Sequence, residues 1–229
     1  MKVALYTLTR DRLEYTEHCF AKLRELAGHP YDHYVVDNGS EDGTQDWLEE
    51  QAGRHKLHHV EYLATNQGIS AASNIALDAI GAGEYDLIVT IDNDCEVVTS
   101  NMLAHVVTVY ESIGPHDREY VLSPRVEGVN TEIHRARVEG LGGHPIGLTG
   151  HVGGLFTVRP AALMEYRYPT DLPLASGQDS NFSSWAHRRG AFVGYIEDLV
   201  VNHYETTDGQ AVRYPEYFER KRVEEITKP

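Results

Sequence analysis

Two aspartates, Asp92 and Asp94, stand two residues apart where the apolar run over residues 86–91 ends. Side chains at i and i+2 of a strand point the same way. Two carboxylates so placed can hold a hard divalent cation whose remaining ligands are phosphate oxygens. The competing reading is a surface turn in which Asp side chains bond the local backbone, and the buried character of the preceding run favours the cation site. An EF-hand is excluded although Asp92, Asp94 and Glu96 match its first three ligand positions: its sixth position holds Val97 where Gly is needed, and its twelfth holds Leu103 where Glu is needed.

Asp37 closes a second apolar run and opens the polar turn Asp37-Asn38-Gly39-Ser40. Its carboxylate either meets a base or ribose or folds back as an Asx turn, and the local residues leave both open. Ser176-Gly177-Gln178-Asp179 reads locally as a capping box, with Asp179 satisfying a backbone N–H. His55, His58 and His59 lack an acidic or Cys partner at ligand spacing and read as a solvated helix-to-strand junction. Trp185 and Phe182, at helical spacing, read as core. Neither a G-x-x-x-x-G-K-[ST] loop nor G-x-G-x-x-G occurs, which excludes a P-loop and an ordinary dinucleotide site. The G-x-S-x-G elbow and H-E-x-x-H are also missing.

The elements that must carry these groups alternate. Residues 3–8 read as a buried strand, and 11–26 as a helix with Leu13, Thr16, Phe20, Leu23 and Ala27 at helical spacing. A strand over 33–36, a short helix with Trp47 and Leu48 stopping near Gly53, and a strand over 60–63 follow. Ile69, Ala72, Ile75, Ala76 and Ala79 stripe the next helix, which Gly81 and Gly83 end; then come the strand 86–91 and a helix over 101–113 stopped by Gly114-Pro115. Such alternation predicts an α/β fold with a mostly parallel central sheet flanked by helices. The turns at Thr9, Asp37, Asn66 and Asp92 all follow strands and would converge on one crevice.

The second half is less regular. Strands are expected over 120–123 and 152–158, and the glycine-rich stretch 140–150 between them reads as a mobile loop with a lid as one role, flanked by His134, His144 and His151. A helix over 178–189, strands over 191–196 and 199–202, and a helical tail from Ala211 that packs back on the domain complete the reading.

At 229 residues the chain is read as a single domain, with a nucleotide-binding half (1–98), an acceptor half (99–210) and the tail (211–229). A net charge of -15 disfavours attachment to DNA or an anionic membrane, and the clusters His187-Arg188-Arg189 and Arg220-Lys221-Arg222 read as solvated helix ends. Two cysteines exclude a disulfide framework and a Cys-rich zinc site. The longest apolar runs fall far short of the roughly 18 residues a membrane span needs. Residues 1–8 are too short for a signal-peptide core, so the expected compartment is the cytoplasm.

Taken in order, Tyr6-Thr7-Leu8-Thr9-Arg10, Val35-Val36-Asp37-Asn38-Gly39-Ser40-Glu41-Asp42-Gly43-Thr44, Asn66-Gln67-Gly68 with Ser73-Asn74, Ile91-Asp92-Asn93-Asp94, Gly153-Gly154-Leu155-Phe156, Gly177-Gln178-Asp179 and Val200-Val201-Asn202-His203 resemble a family 2 glycosyltransferase of GT-A fold. The likeness runs over roughly residues 1–205. It implies that Thr7, Thr9 and Asp37 line a nucleoside pocket, that Asn66 and Gly68 approach the nucleotide, and that Arg10 and Asn93 belong to the donor site. Asp92 and Asp94 would bind ribose, diphosphate and metal, with His203 helping to hold the metal, Mn2+ or Mg2+. Asp179 would be the general base of an inverting transfer, which reverses its local reading as a cap. The implied donor is a nucleotide-diphospho-sugar, UDP- or GDP-linked, and the acceptor a hydroxyl on a glycan, lipid-linked sugar, small molecule or modified DNA, the last disfavoured by the acidic charge. Ser73 replaces the family's usual basic residue and Gln178 its usual Glu, and Q-x-x-R-W is absent, so the resemblance implies a single transfer by a non-processive enzyme. A sugar-phosphate nucleotidyltransferase and a non-catalytic nucleotide-sugar binding module are the alternatives.

Overall fold

Apolar runs and amphipathic helices alternate through the first half as β1 (Val3–Thr9), α1 (Leu13–Leu26), β2 (Asp32–Asp37), α2 (Thr44–Gly53), β3 (His59–Tyr62), α3 (Ile69–Ile80) and β4 (Leu87–Ile91). The chain continues as β5 (Cys95–Val97), α4 (Met102–Ser112), β6 (Tyr120–Glu127), β7 (Arg137–Leu141), β8 (His144–Leu148), β9 (Leu155–Val158), α5 (Pro160–Tyr166), α6 (Gln178–Arg188), β10 (Phe192–His203), α7 (Thr207–Arg213) and α8 (Pro215–Thr227). This is a computed structural model, and it describes residues 1–81, 84–113, 118–128, 137–171, 177–204 and 207–227. Gly83, Gly114, Pro115, His134 and Ser176, named in the sequence reading, lie outside the described residues.

One sheet runs through both halves in the order β3-β2-β1-β4-β9-β6-β10-β8-β7, with β5 attached to β10. The first four strands are parallel, and β6 with β10 makes a second parallel pair; β9 joins the two sets antiparallel to β4 and β6. Both sheet faces are covered, so β1 and β4 read as continuous apolar runs. Alternate residues divide between two cores: Leu5 and Val89 pack with Leu23 of α1 and Val106 of α4, while Ala4, Tyr6 and Ile88 pack with Leu77 of α3 and Phe182 of α6. Leu5, Leu87 and Ile88 have no solvent exposure, and each side chain so buried stabilises the fold by about 1.5–3 kcal/mol. Phe182 and Trp185 are stacked in the second core with Phe156 and Tyr166, as their spacing suggests.

Three readings of the second half change. The glycine-rich stretch is not a loose loop but the hairpin β7–β8, closed by Gly142-Gly143, where Leu141 pairs with His144. Both turn glycines have positive φ (56° and 86°), the conformation that a two-residue hairpin turn demands. Its tip is seated on α4, since a Cβ on Gly142 would stand 2.8 Å from the Thr108 carbonyl oxygen. His144 anchors it further, with Nδ1 3.0 Å from Asp198 and Nε2 3.2 Å from His105 Nδ1. The two strands expected over 191–196 and 199–202 are one strand, β10, whose pairing with β6 is interrupted by a bulge between Ile196 and Val200. The tail forms two helices, α7 and α8. Among the described residues no helix is long and apolar enough to cross a membrane.

Candidate active site

β4, buried along its whole length, delivers the chain to a tight turn. The Cys95 N–H donates to the Asp92 carbonyl (3.1 Å) and the Asp92 N–H to the Gly154 carbonyl (2.7 Å). Asp92, Asn93 and Asp94 therefore lie on a turn between β4 and β5, beyond the strand, and it is the turn that brings their side chains together. A carboxylate oxygen from each of Asp92 and Asp94 and the Cys95 sulfur lie within 4.8 Å of one another. Burial raises the Cys95 thiol well above its ordinary pKa, with Asp92 and Asp94 adding to the shift, so it stays protonated and offers little to a hard ion.

β5 pairs antiparallel with the end of β10, setting His203 opposite Cys95; the Tyr204 N–H closes this seam on the Asp94 carbonyl at 2.7 Å. The His203 Nε2 consequently stands 3.5 Å from Asp94 Oδ2. Asp92, Asp94 and His203, distant in sequence, line one cavity of about 290 Å³ together with Thr9, Arg10 and Asn93.

Further residues of this cavity, Arg12 first among them, were not anticipated. Arg12, with its side chain 11% exposed, donates to Asp94 Oδ2 at 2.9 Å and to Asn93 Oδ1 at 3.1 Å. It caps α1 with a left-handed backbone (φ 59°), directly after Asp11 (φ 48°). Two successive non-glycine residues in that region cost about 1–2 kcal/mol each, strain of a kind that concentrates at functional sites. From the tail come Gln210, Tyr217, Phe218 and Lys221. Gln210 donates to Asp94 Oδ2 (3.0 Å) and accepts from Arg12 (2.6 Å), and the Arg12 guanidinium lies 4.7 Å over the Tyr217 ring.

The charges are uneven. Asp92, open to the cavity, is pushed well above the ordinary carboxylate range, by desolvation first and then by the nearby charges of Asp179 and Asp94. For Asp94, burial acts in the same direction, but Arg12, His203 and Gln210 outweigh it and hold the carboxyl down. Asp179, in the first turn of α6, is raised to about 6 by burial, partly opposed by a hydrogen bond from the Gly154 backbone. Gly154 thus touches both acids, accepting the Asp92 N–H and donating to Asp179. Its φ of +73°, with Cys95 Sγ only 3.2 Å from where a Cβ would sit, requires glycine. The structure caps α6 with Gly177; the capping-box reading, which needs Ser176, falls outside the described residues.

Other expected donor residues stand behind the cavity wall. The Thr7 hydroxyl is bonded to His33 Nε2 at 3.0 Å. Asp37 has no solvent exposure and accepts from Thr9 Oγ1, Ser40 N–H, Ser40 Oγ and Gln45 Nε2 at 2.5–2.9 Å. Those four bonds tie Asp37 into its own turn, and the next residue, Asn38, lines the cavity. Asn66 accepts the Gly68 N–H and donates to Glu224 of α8. His58 and His59 lie beside Asp32 and Glu61 on the far sheet edge, outside the site.

The sequence profile of glycosyl transferase family 2 matches residues 6–151, more than half of the chain, and takes in the turn that carries both aspartates. The chain belongs to glycosyl transferase family 2. No curated protein matches this family 2 chain. Among solved structures, S. aureus TarS superposes over 98% of the chain and 39% of its own length (TM-score 0.67, 19% identity). The mannosyltransferase PcManGT from Pyrobaculum calidifontis, in complex with GDP-Man and Mn2+, superposes over 98% of the chain and 61% of its own (0.72, 18%). GalNAc-T7 with UDP, GalNAc and Mn2+ covers 90% and 44% (0.71, 15%). The chain spans 39–65% of the length of the TarS structures it matches. At these identities the likeness establishes the GT-A fold.

The donor set of this family 2 site suits a divalent cation. The charges of Asp179 and Asp94 add to the effect of desolvation in raising Asp92, with Arg12 opposing them, and that repulsive part is one a bound cation would relieve. Carboxylate and imidazole together suit Mn2+ or Mg2+ more than a thiophilic ion.

Proposed function

We propose that this family 2 domain transfers one sugar from a nucleotide-diphospho-sugar to an acceptor hydroxyl, with inversion and with a divalent cation held by Asp92, Asp94 and His203. The observation that carries the reading is the convergence of Asp179 on the aspartate turn through Gly154, with its carboxyl poised at about 6. A base tuned close to neutrality both holds its proton-accepting form at pH 7 and retains some driving force for proton transfer. Asp179 takes the acceptor proton as the new C–O bond forms; the bond between the anomeric carbon and the diphosphate oxygen breaks on the opposite face, and the nucleoside diphosphate leaves. The cation, Mn2+ or Mg2+, supplies Lewis-acid stabilisation of that departing charge. Thr9, Arg10, Asn38 and Asn93 line the space for the nucleotide. Residues 1–98 serve as the donor half, 99–210 as the acceptor half and 211–229 as the tail, in which Glu224 of α8 reaches Arg10 and Asn66.

UDP and GDP donors are favoured by the ligands of the structural neighbours, UDP-GlcNAc in TarS and GDP-Man in PcManGT. The acceptor is a glycan, lipid-linked sugar or small molecule; modified DNA is disfavoured by the charge of -15. The test is a thermal-shift panel of UDP, GDP, TDP and CDP with and without Mn2+, followed by nucleotide release from the matching sugar donors. A bound nucleotide at a hundredfold excess over its dissociation constant stabilises by about 2.7 kcal/mol, and Asp94→Asn is expected to remove the Mn2+-dependent part. Stabilisation by none of the four overturns the reading, and formation of a nucleotide sugar from a nucleoside triphosphate replaces it with a nucleotidyltransferase.

A further inference from the structure

Helix α8 presents Tyr217, Phe218, Lys221 and Glu224 along one face, at the spacing that places residues above one another on a helix. The first three line the cavity. Glu224 divides its carboxylate between two residues of the expected donor site, accepting from Arg10 at 2.5 Å and from Asn66 Nδ2 at 2.7 Å. Outside the cavity Arg220 is paired with Asp11, and its other nitrogen lies 3.6 Å from Glu41. From α7, Gln210 fills the remaining space at Asp94 Oδ2. That oxygen already accepts from Arg12, and an oxygen with two acceptor sites so used has none left for a cation.

Arg10, Asn66 and Asp94, which the tail contacts through Glu224 and Gln210, are groups that a bound nucleotide and cation would need; elsewhere the tail pairs Arg213 with Glu14 and packs Tyr214 on Tyr15. An anionic carboxylate lies on Arg10 and Asn66, and an amide N–H lies where the cation would take up Asp94. The remaining cavity, about 290 Å³, is at the bottom of the range of ligand sites, roughly 300–1,000 Å³. The docking combines these polar contacts with Tyr214 packed edge-on against Tyr15, whereas Val212 and Val223 of the same segment are exposed. Burial works against ionised Glu224, yet Asn66, Arg10 and Arg220 hold its carboxyl below its ordinary range.

We propose that α7–α8 is an autoinhibitory strap, in which Glu224 and Gln210 occupy the donor and cation positions and must be displaced before a nucleotide binds. This rests on the donor-site reading above. Because only the displaced form accepts the nucleotide, apparent affinity is reduced by the fraction of molecules whose strap is open.

The test is calorimetric titration of UDP, GDP, TDP and CDP with Mn2+ into the unaltered chain, Glu224→Gln and Arg220→Gln, with hydrogen exchange of residues 215–224 followed in parallel. The first variant weakens the strap's hold on Arg10 and Asn66, and the second its hold on Asp11 and Glu41. Both are expected to bind nucleotide at least about five-fold more tightly than the unaltered chain, the lower end of typical coupling between sites, and nucleotide is expected to speed α8 exchange in the unaltered chain. Equal or weaker binding by both variants, or slower α8 exchange on adding nucleotide, overturns the proposal and makes α8 a wall of the donor site. If no nucleotide binds any of the three proteins, the donor-site reading itself fails, and the strap falls with it.

Discussion

Replacing Asp179 by Asn is expected to abolish transfer and stabilise the protein at once. Burial lifts the carboxyl from 3.8 in the unfolded chain to about 6 in the fold. Because the folded value is the higher, the folded state favours the protonated acid. Below 3.8 both states are protonated and the group is neutral towards folding. Between 3.8 and 6 the unfolded chain releases the proton first and stability falls with rising pH; above 6 the full penalty remains. A displacement of about 2 units corresponds to roughly 3 kcal/mol at pH 7, an upper figure because Asp179 and Asp92 repel each other and titrate together. Urea unfolding of Asp179→Asn should show a gain approaching that value at pH 7 that shrinks towards pH 4. In the unaltered enzyme kcat/KM, which reports the free protein's base, should halve near pH 6 and fall about ten-fold between pH 7 and pH 5. Near-normal turnover by the variant, or a stability gain independent of pH, refutes the argument.

Other expectations concern the supports of the site. His33 is fully enclosed, and burial, with some help from the Arg24 charge, lowers its pKa to about 3. The unfolded chain therefore takes up the proton first, and stability should decline as pH falls from about 6.5 towards 3, by about 1.4 kcal/mol per unit; urea midpoints at pH 7 and pH 5 should differ less in His33→Gln. Arg12→Gln leaves Asp94 buried without its cation and should cost roughly 3 kcal/mol at pH 7. Since Asp94 is held below its unfolded pKa, that deficit should shrink as pH drops below about 4, which urea titrations at both pH values would detect. Gly154→Ala forces a methyl group against Cys95 at positive φ and should destabilise by about 1–3 kcal/mol, with a lower Tm and a lower kcat.

What the amino acids disclose about the fold follows the strength of local signals. The central strands β1 and β4 are buried runs, the edge strand β3 is short and more polar, and the helices between them carry clear stripes, so β1 to β4 and α1 to α4 are legible within a few residues. β5 is not: three residues, one of them Glu96, make no periodic signal, and its existence depends on β10 arriving beside it. The β7–β8 hairpin is hidden for another reason. Gly142-Gly143 is a recognised hairpin turn, but the surrounding glycines read as looseness, and only the packing of Gly142 on α4 and of Gly147 on Tyr195 accounts for their ordered use.

The site divides in the same way. Asp92 and Asp94 stand out as chemistry-bearing residues after a buried strand, and His203 enters through the family resemblance. Arg12, Gln210, Tyr217 and Lys221 do not, because an arginine at a helix start and polar residues on a terminal helix have ordinary surface readings, and the pairs Arg12–Asp94 and Gln210–Asp94 join residues 82 and 116 positions apart. Asp37 shows the converse. A polar turn residue suggests ligand contact, yet its neighbours tie it into its own turn.

The bulge in β10 gives the aspartate turn an unexpected dependence on chain length. Residues 197–199 are looped out between the pairs Ile196–Pro124 and Val200–Arg125, and everything beyond them is phased by that excursion. Side chains on a strand alternate, so a one-residue change there would exchange the inward and outward positions of all that follows. His203 would then face away from Asp94, although no atom near either had been altered. The imidazole is placed by counting along the strand.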